Sequence, residues 1–244
     1  MDAMIFAAGL GTRLRPITEH IPKPLILVGG VPLLGRVLRR VVAAGADRVV
    51  VNAHHHVDQV EAYLREHDGF GADVRLSVEQ PLVLDTGGGL LHAAEHFRRD
   101  RPILVHNGDV LSDVDLEALA AAHRASGALA TLVSLPPGEE RYLVFDEAGL
   151  VGYAPRGEPE PRLVRPAAGE KKQRDFAGIQ MLDPRILDRI TERGVFSIVW
   201  PYLRLSAEGE AIRAHDALEA RWIDVGTPER LRQAEASVAA GELT

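Results

Sequence analysis

Residues 48–53 (RVVVNA) form an almost unbroken β-branched run that neither face of a strand can leave in water. Such a run is stable only in a sheet covered on both sides. The same texture recurs at residues 3–8, 74–78, 103–106 and 129–135. Between these runs the pattern switches to helical spacing. Leu33, Leu34, Val37, Leu38, Val41 and Val42 line one helical face, and Gly45 follows as a stop. Residues 57–67, the glycine-opened 87–97 and the alanine-rich 116–126 also read as helices. Strand and helix alternate with short joints to about residue 135. An α/β fold built from right-handed βαβ units around a mainly parallel mixed sheet is therefore expected. Ligands of such sheets bind beyond the carboxyl ends of the strands. Gly9, Asp85-Thr86-Gly87 and Asp109 fall at those ends.

From Pro136 the texture changes. Residues 136–165 are rich in Pro, Gly and charge, with strand-like runs at 142–145 and 150–153. They read as a mobile, hairpin-like insertion, either a lid or a surface excursion without a substrate role. Residues 176–182 return to a strand, 184–191 and 197–207 to helix, and 221–224 to a short strand. Thr227-Pro228 then opens a terminal helix, with Thr as N-cap and Pro at its first position. One domain over 1–244 is expected, with parts 1–135, 136–226 and a C-terminal helix over 227–244, although two small domains are possible at this length.

Composition narrows the function. Net charge is -7, from 28 Lys and Arg against 35 Asp and Glu, which argues against a general nucleic-acid binder. An anionic substrate must be met by a local basic site. The absence of cysteine excludes disulfides, zinc-thiolate sites and thiol nucleophiles. No 18-residue apolar run occurs, so no membrane partner is expected and a cytoplasmic location follows. No sustained heptad fixes an oligomeric state.

The chemistry concentrates at the N-terminus. After the first strand comes Gly9-Leu10-Gly11-Thr12-Arg13-Leu14-Arg15-Pro16, then Pro22-Lys23-Pro24-Leu25. Glycines let backbone N–H groups approach phosphate oxygens, arginines pair with them bidentately, and flanking prolines stiffen the backbone under Lys23. A triphosphate cradle is the functional reading; a tight turn with solvated arginines is the bland one. The third glycine of a dinucleotide fingerprint is missing, because position 14 is Leu, and no P-loop Gly-Lys-Ser/Thr is present.

Asp109 and Asp224 both end strands. They are either turn caps or a carboxylate pair for Mg²⁺, an ion held by one or two carboxylates, water and substrate phosphate. Thr86-Gly87-Gly88-Gly89 opens a helix whose free N–H groups would bind an anion or a flat base, or whose glycines serve close packing. His54-His55-His56 cannot ligate one ion, since three consecutive side chains share no face; a solvated turn is expected. The lack of G-x-S-x-G weakens a hydrolase reading.

These stretches resemble the sugar-phosphate nucleotidylyltransferases, or nucleotide-sugar pyrophosphorylases. The resemblance is carried by Ala7-Ala8-Gly9-Leu10-Gly11-Thr12-Arg13-Leu14, Pro22-Lys23-Pro24-Leu25, Asp85-Thr86-Gly87-Gly88-Gly89, Asn107-Gly108-Asp109, Phe176-Ala177-Gly178-Ile179 and Trp222-Ile223-Asp224-Val225-Gly226-Thr227. It implies a three-layer, Rossmann-like nucleotidyltransferase fold and Mg²⁺-dependent transfer from a nucleoside triphosphate to a sugar 1-phosphate. Arg13, Lys23, Asp109 and Asp224 would be catalytic, with Asp109 and Asp224 on the metal. Ala8, Gly9, Gly11, Thr12, Arg13, Lys23, Thr86, Gly87 and Gly108 would hold the nucleotide, with Glu79 or, preferred, Gln80 reading the base edge. Gly178 and a lysine from Gly169-Glu170-Lys171-Lys172, Lys171 in preference, would meet the sugar phosphate. Many relatives carry Asn-Ala-Gly where this chain has Phe176-Ala177-Gly178, which fits a bulkier or less polar sugar. The short form is most similar to the N-acetylmuramate-1-phosphate uridylyltransferases of cell-wall recycling, which points to UTP and N-acetylmuramate 1-phosphate. Guanylyl or other nucleotidylyl transfer to a hexose or heptose 1-phosphate, cytidylyl transfer to a non-sugar alcohol phosphate, and a non-catalytic nucleotide-binding regulatory subunit are the alternatives.

Overall fold

Strands with apolar side chains on both faces dictate the architecture of this computed structural model, which describes residues 1–138, 142–155, 158 and 160–243. The strands are β1 (Asp2–Phe6), β2 (Leu27–Val28), β3 (Val31–Pro32), β4 (Arg48–Ala53), β5 (Asp73–Val78), β6 (Ile103–Asn107) and β7 (Val110–Ser112). There follow β8 (Ala130–Leu135), β9 (Tyr142–Asp146), β10 (Gly149–Ala154), β11 (Arg162–Leu163), β12 (Lys172–Leu182), β13 (Ile212–Asp216) and β14 (Trp222–Asp224). The helices are α1 (Leu33–Ala43), α2 (Val57–Glu66), α3 (Asp85–His92), α4 (Leu116–Ser126), α5 (Ile186–Arg189), α6 (Val199–Ala207) and α7 (Pro228–Ala239).

The main sheet has the order β5-β4-β1-β6-β12-β8-β13. All its strands run one way except β12, which is antiparallel to both β6 and β8. Alternation along each strand feeds two cores. Ala3, Ile5, Val49, Val51 and Leu104 face α1, α2 and α4. Met4, Val50, Ile103 and Val105 face α3, α5 and α6. The result is the expected three-layer α/β fold. A smaller core, with Leu14, Val28, Leu111, Val225 and Ala234, seats α7 over the β7–β14 ladder.

Strand order reverses at β1, which has β4 on one side and β6 on the other. Phe6 is level with Asn52 and with Asn107, so the carboxyl ends of three strands meet at one edge. The crevice belongs at this switch point.

Several elements differ from expectation. The helix expected over 87–97 is α3 followed by a 3₁₀ turn at Ala94–His96. The one expected over 184–191 shrinks to the four residues of α5. Strand β13 (IRAHD) escaped the sequence because it is an edge strand with half-buried polar side chains, and β7 is only three residues long.

The hairpin expected within 136–165 is present, and it joins the sheet rather than standing off as a surface excursion. Strands β9 and β10 extend the sheet through the outer half of β12, and Leu143, Val144, Phe145, Leu150 and Val151 are core residues. The hairpin turn is tied down by Asp146. Its carboxylate accepts from both Arg165 Nη atoms at 2.7 Å and from the N–H groups of Ala148, Gly149 and Ala168. Residues 139–141, 156, 157 and 159 of that stretch lie outside the described residues.

The Arg165 bond and its companions hold the Asp146 carboxyl down to about 2, against an ordinary 3.8. A carboxyl with a depressed native value stabilises the fold above its unfolded value and ceases to as pH falls through the native one. Hydrogen exchange, corrected for intrinsic rates, should therefore show constant opening free energies for β9 and β10 amides near neutrality. They should weaken between about pH 4 and 2, and pH-independent opening over that window would contradict the tether.

Candidate active site

The loop after β1 folds through three short 3₁₀ turns, Thr12–Leu14, Ile17–Glu19 and Lys23–Leu25. Gly11 enters the first in the left-handed region (φ 61), and Thr18 Oγ1 donates back to its carbonyl at 2.9 Å. The third begins after Pro22 and contains Pro24, which sets the backbone from which Lys23 projects. The Lys23 side chain is 10% exposed, donates to Asp109 Oδ2, and lies 4.0 Å from Asp224 Oδ1.

The two aspartates come from opposite ends of the chain and meet through the β7–β14 ladder, in which Asp224 pairs with Val110. Val225 N–H donates to the Asp109 carbonyl at 2.8 Å and closes the ladder. Arg13 approaches from the loop. A Cβ at position 226 would stand 2.6 Å from Arg13 Nη2 and 3.0 Å from Asp224 Oδ1, so Gly226 is what admits the guanidinium. Arg13, Lys23, Asp109 and Asp224 thus form one cluster. Burial, and after it the charge of Asp109, push the Asp224 carboxyl above its ordinary value; Lys23, Arg230 and Arg13 pull it back. Asp224 Oδ1 is buried with no hydrogen-bond partner among the described residues. A buried, unpartnered carboxylate oxygen beside a second carboxylate suits a hard divalent cation. No group of three potential metal-ligating side chains occurs among the described residues, so further ligands would have to come from water and substrate.

Beside this cluster opens a cleft of about 200 Å³. Ala8, Gly9, Lys23, Thr86, Gly108 and Asp109 line it, as do Phe6, Ala7, Pro24, Asn52, Glu79, Val83, Asp85 and Asn107. Its floor is braced by a relay that the sequence did not reveal. Ala7 N–H donates to Asn52 Oδ1 at 2.6 Å, and Asn52 Nδ2 donates to Glu79 Oε1 at 2.6 Å. Leu84 N–H donates to Glu79 Oε2 at 2.7 Å. A polar residue closing the β-branched run at Asn52 was the one available signal. Glu79 is fully buried and its carboxylate is committed to this brace. Gln80, preferred for reading the base, is exposed and does not line the cleft.

Three of the N–H groups at the start of α3 are already taken, which counts against the anion-binding alternative. Gly87 and Gly88 donate to the Phe196 carbonyl at 2.9 and 3.3 Å, and Thr86 N–H donates to Asp85 Oδ1. The glycines serve packing instead, since a Cβ at 87 would strike the Phe196 ring and one at 88 the Gly194 carbonyl. Thr12 is exposed on the loop. Gly178 lies against Asn107, at the register shift in β12 between Phe176 and Gln180. Lys171 is exposed just before the outer end of β12, and neither it nor Lys172 lines the cleft. His54 and His56 are half-buried, His54 Nδ1 lying 2.7 Å from the Glu79 carbonyl, so the triplet is more ordered than a solvated turn.

His106, at the end of β6, is fully buried, and burial holds its imidazole down to about 4. It is neutral at neutral pH, with Nδ1 2.7 Å from the Asn107 carbonyl. It is not placed to serve as a general base in the cleft.

The nucleotidyl transferase family profile matches residues 2–145. An N-acetylmuramate alpha-1-phosphate uridylyltransferase of Caulobacter vibrioides is 35% identical, covering 97% of this chain and 96% of that protein. A mannose-1-phosphate guanylyltransferase of Mycobacterium tuberculosis is 30% identical over 99% of this chain but 65% of its own length. The fold is shared with a UTP-bound UGPase of Acinetobacter baumannii, with a TM-score of 0.78 at 17% identity over 98% of this chain and 93% of that one.

Replacing Lys23 with Ala would leave two carboxylates facing each other. The expected cost is about 1–2 kcal/mol of stability near pH 8, discounted for partial exposure. A carboxyl whose native value is raised carries its penalty only while ionised. The deficit against wild type should therefore shrink on acidification to about pH 5. Thermal melts at the two pH values check this, and a deficit independent of pH would exclude carboxylate repulsion as its source.

Proposed function

The chain belongs to the nucleotidyl transferase family, and we propose that it transfers a nucleotidyl group from UTP to N-acetylmuramate 1-phosphate, releasing pyrophosphate. The observation that carries the reading is Lys23 set between Asp109 and Asp224, with Arg13 beside them, at the mouth of a cleft on the carboxyl edge of the sheet. This is a site for phosphate charge rather than for acid–base work. An oxygen of the acceptor phosphate attacks the α-phosphorus. The new P–O bond forms as the bond to the β-phosphate oxygen breaks, and the electron pair leaves with pyrophosphate. The attacking oxygen is already ionised, so no general base is required. Lys23 and Arg13 meet the charge that builds on the leaving group. Mg²⁺ held by Asp109 and Asp224 would supply further electrostatic stabilisation of the phosphates.

The uridylyl reading is supported by the end-to-end match to the Caulobacter vibrioides enzyme, whereas the guanylyltransferase match leaves about a third of that protein uncovered. Phe176, where many relatives carry Asn, packs in the same core as Tyr153 and Phe196. The loss of a polar side chain there supports a sugar with a bulkier or less polar substituent over an unmodified hexose.

Pyrophosphate release across a matrix of nucleoside triphosphates and sugar 1-phosphates tests the reading. UTP with N-acetylmuramate 1-phosphate should give the highest kcat/KM, and Lys23→Ala should lower it by roughly 10²-fold or more. A UTP-dependent rise in melting temperature with no pyrophosphate from any pair would instead make the chain a nucleotide binder without turnover.

A further inference from the structure

Arg230, in the first turn of α7, is not called on by the chemistry above. Its Nη1 lies 4.0 Å from Asp224 Oδ2, the carboxylate oxygen turned away from Lys23, and its side chain is 47% exposed. Its guanidinium lies over the Trp222 ring, 5.9 Å from the centroid. That ring is itself fixed, because Trp222 Nε1 donates to the Ala177 carbonyl at 2.8 Å. Ala177 precedes Gly178 at the register shift of β12.

Three cations therefore surround Asp224, and their surroundings differ. Lys23 is buried and bonded to Asp109. Arg13 comes from the loop after β1 and lies against Gly226. Arg230 comes from α7, over a tryptophan tied through Ala177 to β12. We propose that Arg230 binds the phosphate of the acceptor, a phosphate monoester dianion. The inference rests on the transferase reading and assigns a contact within it.

Physical chemistry favours the assignment. A half-exposed ion pair at 4.0 Å is weak and readily exchanged for a better anion. A guanidinium offers two parallel N–H groups that match two phosphate oxygens, and the match is stronger than its single long contact with Asp224. The Trp222 face pre-orients the group, so less freedom is lost when the phosphate arrives. Two anionic substrates must converge beside two carboxylates, so positive charge beyond that of Lys23 and Arg13 is needed there.

Arg230→Ala and Arg230→Lys test this in two ways. In pyrophosphate-release kinetics, Arg230→Ala should raise the KM for the sugar 1-phosphate about tenfold, with the KM for UTP within about twofold. Arg230→Lys, which keeps the charge but loses the fork, should fall between. In calorimetric titration of inorganic phosphate into the protein with Mg²⁺ present, Arg230→Ala should bind several-fold more weakly than wild type. An unchanged acceptor KM, or a UTP KM that rises in parallel, would overturn the proposal. A wild type without turnover would sink the transferase reading instead. The titration alone would then decide: weaker phosphate binding by Arg230→Ala supports the contact, and equal or absent binding refutes it.

Discussion

Two carboxylates held side by side repel, and burial together with the charge of Asp109 makes Asp224 harder to keep ionised. The β7–β14 ladder nevertheless brings Asp109 and Asp224 together, with Lys23 bonded to one and 4.0 Å from the other. Much of the local structure serves this juxtaposition. The loop after β1 turns three times to deliver Lys23 and Arg13, Gly226 leaves room for the arginine, and α7 packs over the ladder. A pair of anions that needs a cation, beside a cleft braced from below, is an arrangement for handling phosphate.

The brace matters as much as the charges. Ala7, Asn52, Glu79 and Leu84 are linked by hydrogen bonds running from the end of β1 through β4 to the segment leading into α3. Buried polar groups in such a relay rigidify the elements they join when every member is satisfied. The cleft floor is thus fixed independently of the charged cluster at its mouth. The part of the sheet proposed for the acceptor is built differently, from β12, β9 and β10. It meets the part that carries the cleft where Gly178 lies against Asn107.

The parallel heart of the sheet was legible because β1, β4 and β6 are apolar on both faces, a pattern that few other structures tolerate. The cluster of Arg13, Lys23, Asp109 and Asp224 was legible through the motifs that flank each residue. What escaped depends on contacts distant in sequence. Nothing local shows that the Phe196 carbonyl takes the N–H groups of Gly87 and Gly88. Nothing local shows that Glu79 turns inward while Gln80 turns out. The hairpin after residue 135 was legible in its two strand-like runs, but its pairing with β12 and its place in the core were not. Strand β13 is polar because only one of its edges is paired.

We propose that Asp109 and Asp224 act as one cation site, assembled by the β7–β14 ladder. Equilibrium dialysis with Mn²⁺ in the presence of a non-hydrolysable UTP analogue tests this without reference to turnover. One tightly bound ion per chain is expected, lost in Asp109→Asn and equally in Asp224→Asn. Retention of that ion by either variant would contradict it.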